Sequence, residues 1–258
     1  MTRAVTYSLV VLAGWLAAGC MPWAPSQATP DRATRQIVAQ RVSAVVVTRR
    51  ASIGDWSGGR FPKMYQHEDV DGGSAAPISA DGYFLTADHV LERVQTGAHA
   101  FVIYHLDGNL VTARARVVWR SASADVALLH APLKTPYFYQ WTQPQLRLPV
   151  GTRVIHGGIA TGLKVGSGKL STALSPEYLF TGARKFEIDI PLQPGDSGGP
   201  VVDAHGDLVG INSAVEFLVP MDTAFFVDSE GTRPNTRMIA ELINRDRARK
   251  SRANPLVE

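Results

Sequence analysis

The chain has 258 residues, 45% of them hydrophobic, and its 26 Lys and Arg against 23 Asp and Glu give a formal charge of +3. That length and composition fit one globular unit with ample core rather than a string of domains, and basic residues spread along the chain leave no nucleic-acid-binding patch. Cys20 is the only cysteine, which excludes an intramolecular disulfide.

Residues 1–20 carry one early charge, Arg3, then an apolar run from Val5 to Ala18 that closes on Leu16-Ala17-Ala18-Gly19-Cys20. This is the pattern of an export signal, too short for a membrane span. Small residues directly before a cysteine resemble the bacterial lipobox, here with Ala17 where leucine is commonest. The resemblance implies a lipid on Cys20, with ordinary signal-peptidase cleavage near Ala18 as the alternative. Met21 and Pro22 are neutral, not the acidic kind of inner-membrane retention signal, so the same resemblance implies an outer-membrane anchor. Residues 21–31, rich in Pro, Ser, Ala and Thr, read as a tether. A short helix is expected from Arg32 to Gln40, and valine-rich Ser43 to Thr48 reads as the first strand.

Arg49 to Gly73 has no periodicity and holds Gly54, Gly58, Gly59, Gly72 and Gly73, which predicts a long loop. Its His67, Glu68, Asp69 and Asp71 match no zinc or EF-hand spacing, so neither a metal nor a cofactor is expected. Trp56, Phe61 and Tyr65 are expected to cover an apolar edge, with a lid or oligomer contact as the alternative. Gly82 to Val90 is an apolar strand running into His89, and Asp107-Gly108-Asn109 is hairpin chemistry between strands Phe101–His105 and Leu110–Trp119. Ala124-Asp125-Val126-Ala127-Leu128-Leu129 places an aspartate at the head of an apolar run that ends the first half at His130. Pro132 to Pro149, with four prolines and Tyr137, Phe138, Tyr139 and Trp141, reads as the connection between halves, its aromatics packed on the seam.

The second half repeats the style, with strands expected at Thr152–Gly157, Gly162–Leu170, Lys185–Ile190, Pro200–Val202, Leu208–Ser213 and Ala224–Val227. Short strands with Gly and Pro punctuation indicate an all-β barrel or sandwich. Met238, Ile239, Leu242 and Ile243 share one helical face, so a helix from about Pro234 to Arg247 closes the chain. At its end and beyond, Arg245, Arg247, Arg249, Lys250 and Arg252 suit the helix dipole and solvent, or alternatively anionic lipid.

Gly195-Asp196-Ser197-Gly198-Gly199-Pro200 carries the chemistry. Glycines beside a serine let the backbone turn sharply, so that the N–H groups of Gly195 and Ser197 can converge on the oxyanion formed when Ser197 attacks a carbonyl. A serine hydroxyl is a poor nucleophile without a base, and the base needs a third group to orient it. His89 and Asp125 supply these roles. Singly, each stretch is an ordinary turn or strand end; together, in the order His, Asp, Ser, they point to a Ser-His-Asp hydrolase.

These residues resemble the chymotrypsin-fold serine proteases and, among them, the bacterial HtrA type (DegP, DegS). The shared motifs are Asp81-Gly82-Tyr83, Asp125-Val126-Ala127-Leu128-Leu129, Gln193-Pro194-Gly195 and Gly210-Ile211-Asn212-Ser213-Ala214, within a match from about Gln36 to Val227. The resemblance implies two six-stranded antiparallel β-barrels, at about 36–131 and 150–228, plus a C-terminal helix at about 234–247, inside a protease domain of residues 32–258. It implies an exported serine endopeptidase of the cell envelope that cuts protein or peptide substrates. Ser213 and Ala214 would lie along the substrate main chain, and Pro191, Leu192, Ala214 and Val215 would wall a narrow primary pocket for small aliphatic residues.

Two departures from the HtrA pattern are visible: Asp196 stands where asparagine is usual, and too few residues follow for a PDZ domain. In digestive relatives the matching aspartate pairs with a new N-terminal ammonium, but no Ile-Val-Gly-Gly start exists here. Asp196 is therefore expected to stay partly solvated or to pair with a side chain, with Arg184 and Lys185 in the same half. The rival readings are an acyl or ester hydrolase using the same triad, and a non-catalytic envelope lipoprotein that keeps the fold.

Overall fold

Alternation of side chains across the two faces of a strand decides what each strand of this protein can bury. The computed structural model describes residues 32–53, 70–160, 166–179, 182–218 and 225–253; the signal, Cys20, the tether, Trp56, Phe61, Tyr65, His67, Glu68 and Asp69 lie outside the described residues. β1 (Ser43–Thr48) is buried along its whole length. Val45 and Val47 point into a barrel core with Phe84, Val102 and Leu129, while Ala44 and Val46 pack on Phe101 and Ile103 outside it. With β2 (Val70–Pro77), β3 (Tyr83–Thr86), β4 (His99–Leu106), β5 (Asn109–Ser121) and β6 (Val126–His130), it forms a closed barrel in the order β1-β2-β3-β6-β5-β4. The hairpin between β4 and β5 has the predicted turn: Leu106 pairs with Asn109 across Asp107 (φ 49°) and Gly108 (φ 85°), both left-handed as a two-residue type I′ turn requires.

One expectation is corrected here. Val70 to Gly73 belong to β2, not to the preceding loop, and pair with β1 in the register Thr48 to Val70 and Val45 to Gly73. Past Val70 the strand has no branched residue, because it runs against the serine turn: a Cβ on Gly73 would lie 2.7 Å from Val90 and 2.8 Å from Ser197 O. Close approach of two backbones has replaced the usual strand signal.

The second sheet contains β7 (Arg153–His156), β8 (Gly166–Lys169), β9 (Arg184–Ile188), β10 (Pro200–Val202), β11 (Leu208–Leu218) and β12 (Phe225–Arg233), in the order β8-β7-β10-β11-β12-β9. Its outer strands meet just past β8, where Leu170 bridges Ile188 and backbone bonds Ser171 N to Glu187 O (2.8 Å) and Asp189 N to Lys169 O (3.0 Å) curl the sheet around Val154, Phe186, Ile188 and Val209.

Two helices cover the seam. α1 (Arg32–Arg41) and α2 (Thr236–Ala253) bring Val38, Ile239 and Ile243 onto one cluster with Tyr83, Tyr139, Leu208 and Ile211. Of the connecting aromatics, Tyr139 is buried and Trp141 packs on that cluster, whereas Tyr137 is 40% exposed. α2 starts where Asn235 Oδ1 accepts the Met238 N–H at 2.9 Å, an N-cap bond. It is anchored to the first barrel by Tyr83 Oη donating to Asp246 (2.7 Å) and by Arg247 pairing with Asp81 (2.6 and 2.9 Å).

Candidate active site

β3 leads directly to His89, which opens a 3-10 helix from His89 to Thr96. Asp125 precedes β6 with φ 47°, a conformation that aspartate tolerates better than most residues. This backbone turn aims its carboxylate at the histidine: Oδ1 accepts the His89 N–H at 3.0 Å, and both oxygens lie 3.0 Å from the ring Nδ1. With two carboxylate oxygens facing it, Nδ1 carries the proton and Nε2 is left with its lone pair. The hydrogen bond to Asp125, opposed by burial, raises the His89 pKa. Burial alone would push the Asp125 carboxyl up, but hydrogen bonds from His89 and Ser213 outweigh it and hold the carboxyl at about 2.

Ser213 joins the two sides of the cleft. Its hydroxyl donates to Asp125 Oδ2 at 2.5 Å, and its carbonyl accepts from Ser197 Oγ at 3.3 Å. Among the described residues no hydrogen bond links Ser197 to His89 in this state. The serine turn uses glycine where left-handed φ is needed, at Gly195 (103°) and Gly198 (83°). Its backbone donors divide into two sets. Asp196 N–H bonds Gln193 O (2.9 Å), Gly198 N–H bonds Asn212 O (2.8 Å) and Gly199 N–H bonds Asp196 O (2.9 Å). The N–H groups of Gly195 and Ser197 donate to no described residue. Two unused donors flanking a serine hydroxyl are what stabilisation of a developing oxyanion requires.

Of the residues expected to wall the primary pocket, Leu192 is buried and Pro191 exposed. Ala214 and Val215 lie in β11 opposite Glu230 and Ser229, and their side chains are outside the described residues.

Of the two arms of the expectation for Asp196, partial solvation is corrected. The residue is fully buried, and neither named cation reaches it: Arg184 donates to Ser175 O and Lys185 to Glu230. Instead Asp196 Oδ2 accepts the Gln193 N–H at 3.0 Å, and Oδ1 lies so close to Gly158 that a Cβ there would come within 2.0 Å. His156, 1% exposed, sits beside this carboxylate. Asn212 Nδ2 lies 3.4 Å from His156 Nδ1 and donates to the Asp196 backbone carbonyl at 3.3 Å. Burial lowers the His156 pKa, and the Asp196 charge acts against that. A backbone donor and a buried imidazole flank the carboxylate, and no sequence spacing announces either.

Asp88 is a second residue that the motif alone did not single out. It is buried immediately before His89 and is gripped by Arg120 from β5. The only signal for it was a carboxylate next to the histidine in an otherwise apolar stretch.

Proteins named as DegP-like periplasmic serine endoproteases match the chain, one from Halomonas elongata at 24% identity, covering 76% of this chain and 47% of its own, and one from Pseudomonas fluorescens at 29% identity, covering 64% and 36%. The chain thus spans about half the length, or less, of these curated relatives. Among solved structures, the HtrA-type protease AlgW with a tripeptide aligns with a TM-score of 0.56 at 22% identity, covering 83% of this chain and 63% of AlgW. Deg5 aligns at 0.52 and 16%, covering 70% of this chain and 83% of Deg5. These likenesses establish the chymotrypsin-like fold. The model of the trypsin-like peptidase domain matches residues 73–211, more than half of the chain and all of His89, Asp125 and Ser197, so the protein belongs to the trypsin-like peptidase domain family.

Proposed function

We propose that this protein is a serine endopeptidase of the HtrA-like kind acting in the bacterial cell envelope. One observation carries the reading: the His89–Asp125 pair and the Ser197 hydroxyl share Ser213, beside the two unused N–H groups of Gly195 and Ser197. In the reaction, substrate binding turns Ser197 Oγ from Ser213 O towards His89 Nε2. His89 takes the hydroxyl proton as Oγ bonds to the peptide carbonyl carbon, and the carbonyl oxygen, now negative, is held by the N–H groups of Gly195 and Ser197. His89 gives the proton to the leaving amine, the C–N bond breaks, and an acyl-enzyme remains. Water, deprotonated by His89, releases the acid and restores Ser197. Asp125 keeps the proton on Nδ1 and stabilises the imidazolium throughout.

β11 suits the substrate main chain. Its ladder to β10 ends at Ile211, while pairing with β12 continues through Leu218, so its other edge beyond Ile211 can accept an added strand at Ser213 and Ala214. Leu192, Ala214 and Val215 would then favour a small aliphatic residue on the acyl side of the cut. The relatives' periplasmic names support an envelope location, with residues 1–20 as signal, Cys20 as lipid anchor to the outer membrane, 21–31 as tether and 32–258 as the protease domain.

The test is reaction with a serine-directed fluorophosphonate, followed by cleavage profiling on a peptide library, with Ser197→Ala as control. Labelling and peptide cleavage that both vanish in Ser197→Ala support the reading. A protein that binds peptides without labelling is the non-catalytic lipoprotein, and one that turns over esters but no peptide is the acyl hydrolase.

A further inference from the structure

Ser74 lies on β2, in the first barrel, yet its N–H and its hydroxyl both bond the serine turn of the second. It is fully buried. Its N–H donates to Ser197 O at 2.8 Å, and its hydroxyl donates to Gly195 O at 2.7 Å. The same hydroxyl oxygen accepts the Ile159 N–H at 2.9 Å, and its carbonyl accepts from Thr86 Oγ1 at 2.8 Å.

These bonds matter because a peptide unit is planar: fixing its C=O fixes the direction of the N–H on its other edge. The Gly195–Asp196 peptide is held on both edges, by Ser74 Oγ and by Gln193 O. The Ser197–Gly198 peptide is also held on both edges, by Ser74 N–H and by Asn212 O. Between them, the Asp196 carbonyl faces Gly199 N–H, which turns the Ser197 N–H the opposite way. Ser74 therefore fixes two of the planes that decide where the unused donors of Gly195 and Ser197 point. Its hydroxyl is a side-chain bond from the first barrel to that turn.

We propose that Ser74 is a positioning residue, a latch from the first barrel whose hydroxyl holds the Gly195–Ser197 turn in the form that stabilises the oxyanion. This rests on the endopeptidase reading above. The test uses the full chain with Ser74→Ala and Ser74→Cys, a peptide that the wild type cleaves, and the aldehyde of the same acyl-side sequence, whose hemiacetal oxygen occupies the oxyanion position. Losing one oxyanion donor costs about 10²–10³-fold in kcat, so misaiming them through Ser74→Ala is expected to lower kcat about 10- to 100-fold. KM should stay within about threefold, because ground-state contacts are unchanged, and aldehyde affinity should fall in step with kcat/KM. Ser74→Cys, with a weaker donor, should fall between the two, and it decides the matter if Ser74→Ala does not fold. Wild-type kcat in the folded variants, or a loss confined to KM, overturns the latch alone. A wild type that neither cleaves peptide nor reacts with a fluorophosphonate overturns the endopeptidase reading and the latch with it.

Discussion

Arg120 grips Asp88 in a two-point ion pair, Nε to Oδ1 at 2.6 Å and Nη2 to Oδ2 at 2.9 Å, one residue before His89. Arg120 reaches further, to the Asp88 carbonyl at 3.3 Å and the Leu91 carbonyl at 3.5 Å, so one guanidinium ties β5 to the first turn of the histidine segment. Because Asp88 is 4% exposed, removing Arg120 strands a buried carboxylate. Arg120→Met is expected to cost about 2–4 kcal/mol of stability, and Asp88→Asn with Arg120→Met distinctly less. Arg120→Lys should rescue little, since an ammonium cannot reproduce the paired geometry. Urea unfolding of the three variants checks this; a double variant as unstable as Arg120→Met alone would contradict it.

Ser197→Ala should abolish hydrolysis with the fold intact, because the hydroxyl is small and only 3.3 Å from one protein acceptor. His89→Ala should be comparably damaging. Asp125→Asn should lose on the order of 10⁴-fold, since an amide facing Nδ1 favours the wrong tautomer. Single-turnover rates on one peptide measure all three, and a His89→Ala variant that keeps turnover removes the mechanism.

Activity and stability should respond to His89 in opposite directions. Asp125 raises its pKa above the ordinary 6.5, and a protonated imidazole is no base, so kcat/KM should fall with acidity through a midpoint above 6.5. The same shift stabilises the folded state fully below 6.5 and loses that contribution as pH rises through the folded value. The stability term should be small, because the His89 side chain is 44% exposed and screened by water. Asp125, held at about 2, should stay charged across the whole profile. A pH–rate profile with an acid midpoint below 6.5 would be incompatible with the His89–Asp125 pairing.

Much of this architecture is legible locally. Valine-rich Ser43–Thr48, the Asp107-Gly108 turn and the apolar run from Val126 each fix their own conformation, and the structure places them with the predicted boundaries or within a residue or two. What is not legible depends on partners far along the chain. β2 is small and glycine-rich because the serine turn passes against it, 121 residues away between Ser74 and Gly195. Arg233, beyond the last strand expected from the sequence, ends β12 at 1% exposure, donates to Leu208 O, Val209 O and Thr142 O and lies over the Trp141 ring, tying the connection between halves to β11. Motif and period do not encode such contacts, so the candidate residues His89, Asp125 and Ser197 are legible in the sequence and the contacts around them are not.

Asp196→Asn is the variant that separates the buried carboxylate from its surroundings. The present carboxylate is wholly buried, held through Gln193 N–H and packed on Gly158, with His156 at its side. An amide oxygen can accept the same Gln193 N–H, so the serine turn should keep its shape and peptide turnover should stay within about threefold, far from the 10²-fold loss of a missing oxyanion donor. Stability should change with pH. Burial already lowers the His156 pKa below 6.5, opposed by the Asp196 charge, and a neutral asparagine removes that opposition. A histidine whose folded pKa is depressed supports the folded state above its unfolded value and loses that support below it, because only the unfolded chain takes the proton. Asp196→Asn should therefore match or exceed wild-type stability near pH 8, where an ionised side chain no longer has to be desolvated, and lose stability more steeply below about pH 6.5. Both proteins, expressed from Met21 onward, should be active without a proteolytic cut, since the turn is held by Ser74, Gln193 and Asn212 rather than by a new N-terminus. Chemical denaturation at pH 5 and pH 8, beside turnover before and after limited proteolysis, tests each part; activity that appears only once a terminus is freed near Ser43 would show that Asp196 awaits an ammonium after all.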